Sequence, residues 1–227
     1  MIRLEKLEPP AILIEKAAEW RVEYVAASET GAWPSEAAKT RYRHPEIKKV
    51  IQRETADKCA YCESKITQVH PGDCEHILPK SQRPDLVVDW ENLTLACNEC
   101  NRRKQDYYEP GAPLINPYKD QPDSHLRWYG PMALAASEDG KGRVTVRLLE
   151  LSRLKLVERR TERIHGVRNL IELWESTEDA AYKNVLWGEI VRQASSDREY
   201  SACAREFILQ HLRLANLIEA VKPTGVE

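Results

Sequence analysis

Two Cys-x-x-Cys pairs, Cys59/Cys62 and Cys97/Cys100, constrain this chain more than any other feature of its 227 residues. Each pair turns two sulfurs from one tight turn toward a common point, and two such pairs make a tetrahedral thiolate set suited to structural zinc. Residues 63–96 separate the pairs, a longer interval than a zinc ribbon uses, so a folded element must fill it. Structural zinc binding is worth about 10–16 kcal/mol, more than the whole stability of many small domains. Such a clamp can hold a short hairpin that could not stabilise itself. The competing reading, four core cysteines at this doubled spacing by chance, explains nothing else in the interval. Six cysteines in a chain of this size do not read as a disulfide framework. Cys74 and Cys203 fall outside the pattern and are expected to be buried.

Hydrophobic residues make up 42% of the chain and charged residues 31%, an ordinary soluble globular composition. The length fits one ordinary domain or two small ones. A net charge of -2 argues against indiscriminate wrapping of nucleic acid. The average hides two basic stretches. Lys39, Arg41, Arg43, Lys48, Lys49 and Arg53 face only Glu46 between residues 39 and 53, a local excess of five. Residues 143–168 carry eight basic against three acidic side chains, again an excess of five. Phosphate affinity follows local potential, so either stretch can face a polyanion, although a charge run is more commonly a solvated helix face. No basic start followed by an apolar run opens the chain, and no segment has bilayer length, so the expectation is a cytoplasmic protein without a membrane partner.

In chain order, Pro9-Pro10 and an apolar stripe of Ile12, Leu13, Ala17, Trp20, Tyr24 and Val25 predict a helix over residues 9–27, broken by Gly31 and Pro34. Pro45 starts a second helix to about Ala56, burying Ile47, Val50 and Ile51. After the first cysteine knuckle, Lys65-Ile66-Thr67 predicts a short strand reaching about Val69, and His70-Pro71-Gly72-Asp73 a turn. Strands over Cys74–Ile77 and Leu93–Ala96, then a helix from Asn98 to about Asp106, complete a hairpin-plus-helix unit. Further on, His125–Tyr129 and Val144–Leu148 predict an antiparallel hairpin around an Asp139-Gly140-Lys141-Gly142 turn. Ser152 is placed as the cap of a long helix to about Trp174, with helices over 178–194 and 197–220 behind it.

The chemistry concentrates between and just after the cysteines. Phosphodiester hydrolysis needs an activated water, charge stabilisation and help for the leaving oxygen. His76 has the proton affinity to take a proton from water near neutral pH. The carboxylate of Glu75 and the amide oxygen of Asn101 suit a hard divalent ion, Mg²⁺ or Mn²⁺. Lys104, three residues after Asn101, shares its helix face and is expected to contact phosphate. Singly, each of these has a plainer explanation: a structural histidine, a surface charge, a helix cap. Cys74 beside the pair raises a thiol nucleophile, but no separate base accompanies it. His70, His125, His165 and His211 are expected to be structural.

The ordered set, Cys74-Glu75-His76-Ile77-Leu78-Pro79-Lys80, Trp90-Glu91-Asn92-Leu93 and Cys97-Asn98-Glu99-Cys100-Asn101-Arg102-Arg103-Lys104, resembles the ββα-metal centre of HNH endonucleases over residues 57–106. The resemblance implies that Glu75 and Asn101 hold the catalytic ion, His76 is the general base and Asn92 braces the loop that positions it. Family members commonly carry Asp at the Glu75 position and His at the Asn101 position. With Leu114-Ile115-Asn116-Pro117 and the Arg-rich helix after Leu149-Glu150-Leu151, residues 57–175 also resemble the HNH subunit of Septu-type anti-phage systems, found too with some retrons. That implies an ABC/SMC-like ATPase partner and cleavage of nucleic acid during infection.

The expected fold class is α+β, mainly helical. Residues 1–56 are expected to form an N-terminal helical region, 57–108 a zinc-clamped ββα core, and 109–227 a hairpin with helices, either accessory or for docking a partner. The expected function is metal-dependent DNA cleavage, with little sequence specificity since no compact reading element stands out. The alternatives are an RNase or tRNA-cleaving toxin with the same centre, and a non-catalytic zinc module that binds nucleic acid or protein.

Overall fold

A computed structural model describes residues 1–30, 34–68 and 70–221, so the expected break at Gly31 and strand end at Val69 lie outside the described residues. The fold is α+β and mainly helical, with two small two-stranded sheets. The chain divides into two compact units, residues 1–126 with 135–151, and residues 127–134 with 152–227. No described helix is long and apolar enough to cross a membrane.

The first unit opens with helix α1 (Ala11–Glu29), for which Pro10 is the N-cap. Its buried side chains, Leu13 and Tyr24, belong to the expected stripe. The sequence reading passed over a short helix α2 (Glu36–Thr40), which runs into a 3₁₀ turn, Arg41–Arg43. Ser35 caps α2 by accepting from the Ala38 amide, a start signal legible in its residue type. Helix α3 (Pro45–Glu54) begins at its proline and buries Ile47, Val50 and Ile51, as periodicity predicts. It ends where Ala56 and Asp57 adopt positive φ.

Strands β1 (Asp73–His76) and β2 (Leu93–Ala96) pair antiparallel, with Glu75 opposite Thr94 and His76 opposite Leu93. Leu93, Leu95 and Ala96 are fully buried, so this two-stranded sheet owes its stability to packing. The strand expected over Lys65–Thr67 shrinks to a single bridge between Lys65 and Lys58. Helix α4 (Asn98–Lys104) follows β2 directly and stops where Gln105 turns to φ 49°.

Past the single-turn helix α5 (Pro122–His125), the expected hairpin needs correction. Strand β3 (Leu126–Tyr129) pairs with β4 (Met132–Ala135), across a two-residue connection begun by Gly130 at φ 53°. Residues Val144–Leu148 belong instead to helix α6 (Gly140–Leu148). Their β-branched composition is overridden by a cap: Asp139 accepts from the Gly142 amide and starts the helix. Gly142 also admits the His125 carbonyl, which would lie 2.2 Å from a Cβ at that position. Thr145 then receives the Ile115 amide on its hydroxyl, fixing the buried face of α6.

The second unit is built on helices α7 (Leu154–Ser176), α8 (Ala180–Gln193) and α9 (Ser201–Val221). Val167, Ile171, Ile190, Ala204 and Ile208 form its core, flanked by Trp174 and Phe207. Ser152 is not the cap of α7, because its hydroxyl bonds both backbone groups of Ala133; Arg153 stands at the N-cap. Arg160 is fully buried against the rings of Trp128 and Tyr200.

Candidate active site and metal centre

The four cysteine sulfurs lie within 4.8 Å of one another. Sulfurs at about 2.3 Å from a central zinc in a tetrahedron would stand about 3.8 Å apart, and Cys62 Sγ and Cys97 Sγ are 3.8 Å apart. The donor set therefore fits zinc. Cys59, Cys62 and Cys100 are buried. The first knuckle closes through the Glu63 amide donating to the Cys59 carbonyl, with Glu63 at φ 65°. Its Ala60 amide donates to the Leu95 carbonyl, which ties the knuckle to β2. In the second knuckle Cys97 is the N-cap of α4, its sulfur accepting from the Cys100 amide. A cysteine of the cluster thus sets where the helix carrying Asn101 and Lys104 begins.

Beside this centre lies an open cavity of about 570 Å³, lined by Glu75, His76, Asn101 and Lys104 together with Tyr42, Arg43, Lys48, His70, Asp73, Lys80 and Asp106. The structure thus brings four of the expected site residues to one cavity. The remaining one, Asn92, does not line it: its amide oxygen accepts from the Leu78 amide and its nitrogen donates to the carbonyls of Leu78 and Leu86. Those bonds close the loop from β1 to the 3₁₀ turn at Trp90–Asn92.

His76 takes its position from that loop, with Nε2 2.8 Å from the Val87 carbonyl. A carbonyl only accepts, so Nε2 carries the proton and Nδ1 is left as the basic nitrogen. The Tyr42 ring packs on the imidazole at 4.4 Å between centroids. Burial pushes the imidazolium pKa down to about 4.

Glu75 is buried and forms an ion pair with Lys104 at 2.7 Å. Desolvation raises its pKa, opposed by the Lys104 charge. Lys104 is itself 1% exposed and also donates to the His76 carbonyl. Its ammonium therefore has protein partners where the sequence reading placed a phosphate. Asn101 donates from Nδ2 to Asp73 at 3.0 Å, which leaves its amide oxygen as the acceptor. Glu75 and Asn101 thus present oxygen donors of the kind a hard divalent ion takes.

Sequence reasoning missed Tyr42, Asp73 and Lys80. Asp73 immediately precedes the recognised motif, and Lys80 was quoted within it without a role. Tyr42 comes from far outside the motif, and no local signal marks it. Cys74 has a thiol that burial pushes up to about 11, unsuited to a nucleophile. His70 lines the cavity rim, with Nδ1 accepting from the Gly72 amide.

Residues 59–106 match the family model described as HNH endonuclease. The chain is 31% identical over 182 residues to the Septu protein PtuB of Bacillus thuringiensis, an alignment covering 78% of this chain and 66% of that protein. It is 27% identical over 152 residues to the Septu protein PtuB of Bacillus mycoides strain KBAB4, covering 53% of this chain and 52% of the relative. The chain thus spans about two thirds of the length of one of these curated relatives and about half of the other. Residues 59–106, which carry the cysteine set, the hairpin and the helix, form an HNH endonuclease domain, in a chain similar to the Septu PtuB proteins over most of its length.

Proposed function

We propose that this chain is a metal-dependent HNH endonuclease that hydrolyses phosphodiester bonds of DNA as the nuclease of an anti-phage defence system. The observation that carries the reading is His76, held by the Val87 carbonyl through Nε2 so that Nδ1 is the basic nitrogen, in a cavity shared with Glu75 and Asn101. His76 takes a proton from a water molecule as its oxygen attacks phosphorus; the phosphorus–oxygen bond to the sugar breaks, and the leaving oxygen is protonated from solvent. Glu75 and Asn101 would hold Mg²⁺ or Mn²⁺, whose chemistry here is to neutralise charge developing on the phosphate oxygens. Lys104 balances the Glu75 carboxylate and holds the end of β1 through the His76 carbonyl. Asn92 acts at one remove, by closing the loop that bears Val87.

The defence role and an ABC/SMC-like ATPase partner rest on the similarity to the Septu PtuB proteins. The substrate assignment is tested by incubating the full chain with labelled DNA and labelled RNA in Mg²⁺ or Mn²⁺, with and without the product of a neighbouring ATPase gene. Cleavage of DNA supports the reading. Cleavage of RNA with DNA left intact overturns the substrate class, and inertness toward both under every condition overturns the nuclease.

A further inference from the structure

Among the described residues, Arg43, Lys48 and Lys80 line the cavity without an ion pair to a carboxylate. Arg43, at the end of the 3₁₀ turn after α2, donates to the Tyr42 hydroxyl at 3.0 Å and lies over the Tyr42 ring. Lys80, in the loop after β1, donates to the backbone carbonyl of Lys39 at 3.1 Å and sits 4.5 Å from the centroid of the Tyr42 ring. Lys48 reaches the cavity from α3. Among the described residues neither Arg43, Lys48 nor Lys80 forms an ion pair with a carboxylate. Other basic side chains nearby are paired, Lys39 with Glu36, Arg41 with Glu23, and Arg103 with Glu99 and Glu150, and Lys49 and Arg53, which like the three have no ion pair among the described residues, do not line the cavity. All three line the same cavity.

A cluster of unneutralised cations around a cavity costs self-repulsion and persists in a fold when an anion completes it. Of the carboxylates that line the same cavity, Glu75 pairs with Lys104, Asp73 accepts from the neutral Asn101 amide, and Asp106 completes the set. None of the three carboxylates is ion-paired to Arg43, Lys48 or Lys80. Two of the three cations also come from outside residues 59–106, the part that matches the HNH model.

We propose that Arg43, Lys48 and Lys80 form the phosphate-binding wall of the site and hold the nucleic-acid backbone beside the scissile bond. This rests on the nuclease reading. It divides the first basic stretch of the sequence: Arg43 and Lys48 face substrate, whereas Lys49, exposed on the same helix and absent from the cavity lining, does not. Contacts of this kind read charge and spacing and carry no base specificity.

The test is binding of a fluorescein-labelled DNA duplex by the full chain carrying His76→Ala, measured by anisotropy across a salt series. Each of Arg43→Gln, Lys48→Gln and Lys80→Gln is expected to weaken binding equally on unrelated sequences. Each should reduce the slope of log affinity against log salt by about 0.9, with zinc content unchanged. Lys49→Gln is expected to leave the slope as it was. If the parent binds with a steep salt dependence and the three variants keep that slope, or if Lys49→Gln loses as much, the wall is wrong while the nuclease reading stands. A parent that binds no nucleic acid at any salt removes both.

Discussion

Lys104→Met is the most informative stability change. Lys104 and Glu75 form an ion pair at 2.7 Å whose side chains are 1% and 8% exposed. Methionine keeps the length of the side chain and removes its charge, stranding the Glu75 carboxylate in the interior and freeing the His76 carbonyl. Removing one partner of a buried pair costs about 3–5 kcal/mol, because the other charge is left uncompensated. That is a large share of the roughly 5–15 kcal/mol by which domains are stable. Glu75→Gln combined with Lys104→Met removes both charges and should recover much of the loss. Equilibrium urea unfolding of zinc-loaded, magnesium-free protein, run on the parent, both single variants and the double variant, gives the coupling directly. A loss under about 1 kcal/mol for Lys104→Met, the size of an exposed pair, refutes the buried brace, as does strict additivity in the double variant.

Asn92→Ala leaves the Leu78 amide and carbonyl without their observed partner and should destabilise the protein by about 2–3 kcal/mol; the Leu78 amide should then exchange with solvent much faster, and unchanged exchange contradicts the loop-closing role. Stripping zinc with a chelator should unfold residues 59–106 and abolish cleavage although no catalytic group is touched, whereas metal-free protein with an intact, cooperative unfolding transition would remove the clamp from the account. Burial, with Arg43 and Lys39 nearby, holds the Lys80 pKa down to about 8, above the rings of Tyr24 and Tyr42. Its positive charge is present below that pH and lost above it. DNA affinity of the full chain carrying His76→Ala should therefore fall as pH rises through about 8, and Lys80→Arg should flatten the fall; an equal fall in that variant assigns it to another group.

The site was legible in the sequence where its parts are local. The Cys-x-x-Cys spacing pointed to four cysteines that the fold clusters, and the order Glu75, His76, Asn101 to residues that line one cavity, with Asn92 in the loop that holds Val87. Helices with a proline start and a clear apolar period, α1 and α3, were legible for the same reason. What was hidden depends on distant contacts. Val144 and Val146 look like strand residues, and only the Asp139 cap and the approach of the His125 carbonyl to Gly142 make them helical. Ser152 looks like a cap, and its hydroxyl is taken by Ala133. Tyr42 and Arg43 reach the site because α2 turns into a 3₁₀ turn beside β1, which no spacing in the sequence encodes. Lys104 was found by its helical register, but whether its ammonium meets solvent or Glu75 is a matter of burial.

In the proposed reaction His76 acts as the base at a phosphodiester. Single-turnover cleavage of a labelled DNA in saturating Mg²⁺, by zinc-loaded parent and zinc-loaded His76→Ala of equal metal content, measures this directly. The parent should cleave and the variant should lose activity by about 100-fold or more, the usual contribution of a positioned general base. Equal rates in the two proteins would contradict it.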